Sequence, residues 1–173
     1  PGMDLPGVLK SDDLLEIDQI PERLLIIGGG VIGLEFACIF NSFGSKVTVC
    51  EYAPSILNSL DSELSKRMNV FLKRQGIEVH TATQIQGIES INGKLLVTSQ
   101  GKKASLQTEA DMVLIAAGRK AAIRGVGIEG LGIVTQKGFI CVDENFETSV
   151  KGIFAIGDVI GEPMLAQSGC RGS

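Results

Sequence analysis

A chain of 173 residues is long enough to bury roughly 70% of its unfolded surface, so a single complete core is the default expectation. Its 16 basic and 20 acidic residues leave a net charge of −4, with no basic run interleaved with aromatics, which excludes nucleic acid and an anionic membrane surface as partners. Apolar runs stay far below the roughly 20 residues of a membrane span. The opening Pro1-Gly2-Met3-Asp4-Leu5-Pro6-Gly7 has neither the basic segment nor the apolar core of a secretory signal, so a cytoplasmic location is expected.

The first strong signal is Leu24-Leu25-Ile26-Ile27 running into Gly28-Gly29-Gly30-Val31-Ile32-Gly33. With 22 glycines in the chain, a lone Gly-x-Gly-x-x-Gly is weak evidence. Here a buried strand precedes it, and an apolar stripe of Ile32, Phe36, Ile39, Phe40 and Phe43 follows at helical spacing. Strand, glycine turn and helix together predict a dinucleotide site: Gly28 for the tight exit, Gly30 for approach of the pyrophosphate, Gly33 for close helix packing. The helix N-terminus then faces the phosphates, and Gly44 ends the helix. A second strand, Val47 to Cys50, leads to Glu51, about 20 residues past the glycines, where an acidic residue accepts the adenosine ribose hydroxyls. No arginine or lysine follows in Tyr52-Ala53-Pro54-Ser55 to hold a 2′-phosphate, so NAD is expected over NADP.

Farther on, Asp61 is placed to cap a helix with Glu63 in its first turn, and Leu64, Met68, Phe71 and Leu72 are expected to face the core up to a stop at Gly76. Ile77 to Val79 reads as a third strand. The alternation predicts an α/β fold, a Rossmann-like doubly wound parallel sheet. The pattern then changes: Thr83 to Ser90, Lys94 to Gln100 and Lys102 to Thr108 read as an antiparallel β-meander insertion, joined at Asn92-Gly93 and Gln100-Gly101. Asp111 to Ala117 supplies another apolar strand, and glycine-rich chain from Lys120 to Gly138 implies a surface connection before a strand over Phe139 to Val142. The last informative segment, Gly152 to Asp158, reads as a strand ending in Gly-Asp.

Cys38, Cys50, Cys141 and Cys170 have no metal-like spacing, and the first three are expected to act as small buried hydrophobes. His80 is the sole histidine and is expected on a strand surface; a histidine metal cluster or a local Ser-His-Asp set is therefore excluded within the chain. Neither a catalytic nor a metal residue is predicted.

Taken in order, Gly28 to Glu35, Ala117-Gly118-Arg119 and Ala155-Ile156-Gly157-Asp158 resemble the flavin-dependent pyridine nucleotide–disulfide oxidoreductases, most closely the dihydrolipoyl dehydrogenase branch. The Pro-Gly-x-x-Leu-Pro-Gly opening and Phe146-Glu147-Thr148-Ser149-Val150 fit the same pattern. The resemblance implies an opening segment (1–22) arriving from an FAD-binding domain outside the chain, an NAD-binding domain (23–150), and the start of a return into the FAD-binding domain (151–173). It implies that Gly28, Gly29, Gly30, Val31, Ile32, Gly33 and Leu34 surround the pyrophosphate, that Glu51 holds the ribose, and that Ile85 borders the adenine. It further implies that Gly118 lies against the nicotinamide half, with Glu35 near it. Asp158 and the segment Met164, Leu165, Ala166 and Gln167 would approach a shared FAD; Gln167 stands where the family has histidine.

The redox cysteine pair and the histidine–glutamate pair of that family have no counterpart here. The resemblance thus implies an NAD domain of a dihydrolipoyl dehydrogenase-like flavoenzyme, inactive alone, whose partners are FAD-binding and dimerisation domains and a 2-oxo acid dehydrogenase complex. A stand-alone NAD(H)-binding module, or the same domain of an NADH oxidase or mercuric reductase, remain the alternatives.

Overall fold

The computed structural model describes residues 1–101, 104–119, 121–123, 125 and 127–161. Two compact units divide the chain, the first over Pro1–Gly118 and the second from Arg119 onward. The division falls inside the 23–150 span expected for the nucleotide-binding domain.

The first unit is built on a five-stranded parallel sheet. In chain order its elements are β1 (Val8–Leu9), α1 (Ser11–Leu14), β2 (Arg23–Ile27), α2 (Val31–Ser42), β3 (Lys46–Cys50), α3 (Ser62–Arg74), β4 (Glu78–His80), β5 (Gln84–Ile91), β6 (Lys94–Gln100), β7 (Ser105–Ala110) and β8 (Met112–Ile115). The sheet order is β1-β8-β2-β3-β4, while β5-β6-β7 form a separate antiparallel sheet. Register is set by pairs such as Leu24↔Val47, Leu25↔Val113 and Val8↔Val113.

Burial on both faces explains why the central strands read as unbroken apolar runs. Leu24, Ile26, Val47, Val49 and Leu114 point to one side, where they meet Leu34, Ala37, Phe40 and Leu72 of the helices. Leu25, Cys50 and Val113 point to the other and meet Ile88, Leu95, Val97 and Ala110 of the meander. Each Leu, Ile, Val or Phe side chain among them contributes roughly 1.5–3 kcal/mol on burial. The meander thus covers the second face of the sheet, the place a second helical layer takes in a fully doubly wound fold. Its first turn follows the expected chemistry: Asn92 and Gly93 have φ of 52° and 77°, the left-handed pair that a two-residue hairpin requires. At the other joint, Gly101 N–H donates to the Ala104 carbonyl at 3.0 Å. Where the meander meets β8, the Asp111 carboxylate takes the Arg23 backbone N–H at 2.8 Å and the Lys94 ammonium.

Both helices turn differently from the expectation. On α2 the buried residues are Gly33, Leu34, Ala37 and Phe40, leaving Ile39 and Phe43 outside at 46% and 62% exposure. The cause is Gly33, which lets the helix approach the sheet through its smallest side chains. On α3, Asp61 caps by accepting from Glu63 N–H at 2.8 Å, as expected, but the buried residues are Ser65 and Leu72. Leu64 and Phe71 are exposed, because Ser65 is drawn in by its hydroxyl, which donates to the Ile56 carbonyl at 2.6 Å. Cys50 is buried as expected, whereas Cys38 and Cys141 are only partly so.

In the second unit, β9 (Thr135–Gln136) and β10 (Phe139–Ile140) form a short hairpin with Lys137 and Gly138 at positive φ. The strand expected over Gly152 to Asp158 is reduced to one bridge, Glu147↔Phe154, followed by a 3-10 turn over Gly157–Ile160. Phe154 and Ile156 are largely exposed, so this apolar run has no sheet to join among the described residues.

Candidate nucleotide site

The glycine turn lies where β2 ends, at the carboxyl edge of the parallel sheet. Gly28 N–H donates to the Cys50 carbonyl at 2.9 Å, and Ala116 N–H to the Ile27 carbonyl at 2.8 Å, so the turn is wedged between the ends of β3 and β8. A side chain at Gly28, whose φ is +117°, would collide with the Ala116 carbonyl. One at Gly33 would strike the Gly28 carbonyl and come within 3.3 Å of Ile26 Cγ2. At Gly30 the situation reverses: a methyl there meets nothing within 4 Å. Two glycines in the motif are therefore required by the fold, and the third faces open space.

Gly30 is the N-cap of α2 and lacks a side-chain cap; Leu34 N–H closes the first turn on its carbonyl at 3.0 Å. The N–H groups ahead of Leu34 are left for an external acceptor, with the positive end of the helix dipole behind them. Beside this opening stands Glu51. One carboxylate oxygen accepts from Gly29 N–H at 2.6 Å and the other from Ala53 N–H at 2.6 Å. A carboxylate has about four acceptor positions, so two remain for hydroxyl donors.

Several contacts here were invisible in the sequence. Leu57, buried at φ 48°, donates its N–H to the Gly29 carbonyl at 2.9 Å, and a side chain on Gly29 would come within 2.7 Å of Ile56 Cγ2. The segment after β3 thus folds back and braces the turn. A bulky residue in the left-handed region costs roughly 1–2 kcal/mol, which the burial of Leu57 offsets. The only sequence signal was the apolar pair Ile56-Leu57 within a polar stretch.

The remaining expected residues scatter. Val31 and Glu35 are exposed on α2, Ile32 is partly buried, and Leu34 belongs to the core. Gly118 follows β8 at φ +130° with open space around it. Ile85 is half-buried and packs on the meander-side core. Asp158 lies in the second unit and pairs with Arg119, 3.5 Å from its guanidinium. Met164, Leu165, Ala166, Gln167 and Cys170 lie outside the described residues. No cluster of three or more metal-ligating side chains occurs among the described residues, and no helix there is long and apolar enough to cross a membrane.

The signature of the pyridine nucleotide-disulphide oxidoreductases matches residues 1–172. The chain belongs to this family. It is 39% identical to dihydrolipoyl dehydrogenase of Bacillus subtilis (strain 168), covering 96% of this chain and 36% of that protein. The mitochondrial dihydrolipoyl dehydrogenase of Pisum sativum is 38% identical over 94% of this chain and 34% of its own length. Among solved structures, the HOCl-induced flavoprotein disulfide reductase RclA from Escherichia coli superposes with a TM-score of 0.85 at 33% identity, over 98% of this chain and 38% of that one. The chain thus spans about a third of the length of the relatives it matches, and the α/β fold with its meander is that of flavoprotein disulfide reductases.

Proposed function

We propose that the first unit is the NAD(H)-binding domain of a flavin-dependent disulfide oxidoreductase of the dihydrolipoyl dehydrogenase type. The observation that carries this reading is the pairing of an uncapped, unobstructed α2 N-terminus at Gly30 with the Glu51 carboxylate at its side. The pyrophosphate is held by the free N–H groups of the first turn, and Gly30 leaves room for it. Glu51, anchored through Gly29 and Ala53, presents its remaining lone pairs to the ribose hydroxyls and repels a 2′-phosphate. The nicotinamide and flavin, when bound, supply the hydride chemistry. Residues of this chain bind and orient: Gly118 keeps the end of β8 open for the nicotinamide half, with Glu35 near it, and Ile85 borders the adenine. Asp158 and the segment 164–167 contribute to the flavin site. The chain has no Cys-x-x-x-x-Cys pair, so thiol–disulfide exchange falls to other parts of the enzyme, and the chain alone is inactive toward lipoamide.

Titration of the chain with NADH and NADPH, followed by nicotinamide fluorescence, tests the reading. Wild type binds NADH more tightly. Glu51→Ala weakens NADH binding tenfold or more, since a charge-assisted hydrogen bond contributes roughly 1.5–3 kcal/mol, and narrows the preference. Equal affinity for both nucleotides in wild type, or no change in the variant, sinks it.

A further inference from the structure

The segment between β3 and α3 carries an amide that is held from both sides. The peptide joining Ile56 to Leu57 accepts at its carbonyl from the Ser65 hydroxyl at 2.6 Å, and donates through Leu57 N–H to the Gly29 carbonyl at 2.9 Å. That second carbonyl belongs to the peptide joining Gly29 to Gly30. In a planar trans amide the C=O and N–H point in opposite directions. Drawing the Gly29 carbonyl toward Leu57 therefore turns Gly30 N–H away from the brace, at the mouth of α2, where it has no acceptor among the described residues. A line of donors and acceptors thus runs from the Ser65 hydroxyl through two peptides to the N–H of the N-cap glycine.

The fold gives up apolar burial and backbone comfort to keep this line. On α3, Ser65 is only 5% exposed while its neighbour Leu64 is half exposed, the reverse of what the two side chains prefer. A serine hydroxyl inside a helix ordinarily faces water or bonds back to the carbonyl four residues earlier. That of Ser65 reaches nine residues back, to a carbonyl outside the helix. Leu57 keeps a φ of 48°, a left-handed conformation that a bulky side chain holds only where its surroundings impose it. We propose that Ser65 is a positioning residue for the dinucleotide pyrophosphate. It touches no ligand; it fixes the direction of Gly30 N–H and, because each hydrogen bond in a chain polarises the next, strengthens that N–H as a donor to phosphate. Without the hydroxyl, the carbonyl of Ile56, a residue 1% exposed, loses its donor, and the Ile56 to Leu57 peptide is free to rotate and take the Gly29 to Gly30 peptide with it. The assignment rests on the nucleotide reading and adds to it a residue from outside the strand–turn–helix unit.

Titrations of the complete chain with NADH, ADP and adenosine, followed by the amide resonances of isotope-labelled protein, test it. Ser65→Ala lowers the affinity for NADH and ADP about fivefold, the equivalent of one ordinary hydrogen bond, and leaves adenosine, which lacks the pyrophosphate, unchanged. In the ligand-free chain the same substitution shifts the Gly30 amide resonance. Glu51→Ala gives a different pattern, weakening adenosine along with NADH. Asp61→Ala, which removes the cap of the same helix, lowers stability without changing the affinity for any of the three. Ser65→Cys keeps the volume but offers a weaker donor, so its affinities fall between, and it carries the test should Ser65→Ala fail to fold. An equal loss for all three ligands, affinities matching those of Asp61→Ala, or, where only Ser65→Cys folds, wild-type affinity in that variant overturns the proposal and leaves the nucleotide reading standing. A wild-type chain that binds neither NADH nor adenosine, or a Glu51→Ala chain that binds both normally, overturns the nucleotide reading and the proposal with it.

Discussion

Replacing Gly33 by alanine tests whether the glycine motif separates folding from binding. A helix-interior Gly→Ala change ordinarily gains up to about 1 kcal/mol. Here the added methyl is driven into the Gly28 carbonyl, a backbone group that cannot swing aside, with Ile26 Cγ2 at 3.3 Å behind it. Overpacking of this kind costs about 1–3 kcal/mol, so the net loss is about 1–2 kcal/mol despite the better helix former. For a chain of this size each kcal/mol moves Tm by about 2–4 °C, which places the expected drop at about 2–8 °C. Gly30→Ala is the matched control: φ is −77° and the methyl meets nothing, so only an N-cap preference of about 0.5 kcal/mol is lost. Its NADH affinity, however, falls tenfold or more, because the methyl occupies the space that the pyrophosphate needs. Thermal unfolding by circular dichroism with parallel NADH titration reads both. A stabilised Gly33→Ala, or a Gly30→Ala chain that unfolds early and binds normally, refutes the reasoning.

The Lys94 ammonium, hydrogen-bonded to Asp111, holds that carboxyl below its ordinary range against the opposing effect of burial. The stability this contributes is present above the unfolded-state value near 4 and is lost as pH falls through the lower folded-state value. Asp111→Asn therefore flattens the acid limb of a Tm–pH curve; an unchanged limb counts against the pairing. Burial pushes the Cys50 thiol up to about 11, so alkylation mapped by mass spectrometry at neutral pH marks Cys38 and Cys141 well before Cys50. The same shift means that stability falls as pH climbs above the unfolded-state value near 9. Finally, Asp61→Ala removes the acceptor for Glu63 N–H and costs about 1 kcal/mol of stability, read by urea titration, with NADH binding unaffected.

The parts of this molecule that announce themselves in sequence are those where one local rule decides. An apolar run into glycines is such a case, as is Asn92-Gly93, whose left-handed pair specifies a hairpin. The orientation of α2 is not. Its apolar residues encircle the helix, so periodicity alone does not choose a face, and the choice falls to Gly33 packing against the Gly28 carbonyl and Ile26 Cγ2 at the end of β2. Ser65 turns inward for a similar reason, through a hydroxyl contact with Ile56. In the site, the position of Glu51 was legible because the strand–turn–helix unit has a fixed length. Its anchoring to Gly29 and Ala53, and the brace from Leu57, depend on how the segment after β3 folds back, and no periodicity encodes that.

The place of β8 in the sheet bears on how the chain is made. β8 lies between β1 and β2, pairing Val113 with Val8 and Leu24 with Met112. A chain emerging from its N-terminus can assemble β2, β3 and β4 early, but the inner edge of β2 stays unpaired until residue 115 has appeared. That edge is the apolar Leu24-Leu25-Ile26-Ile27, an invitation to pairing with another nascent chain. Because its closing contacts join residues about a hundred positions apart, the sheet is completed late, and the interval before β8 arrives is when the molecule is most exposed to misassembly.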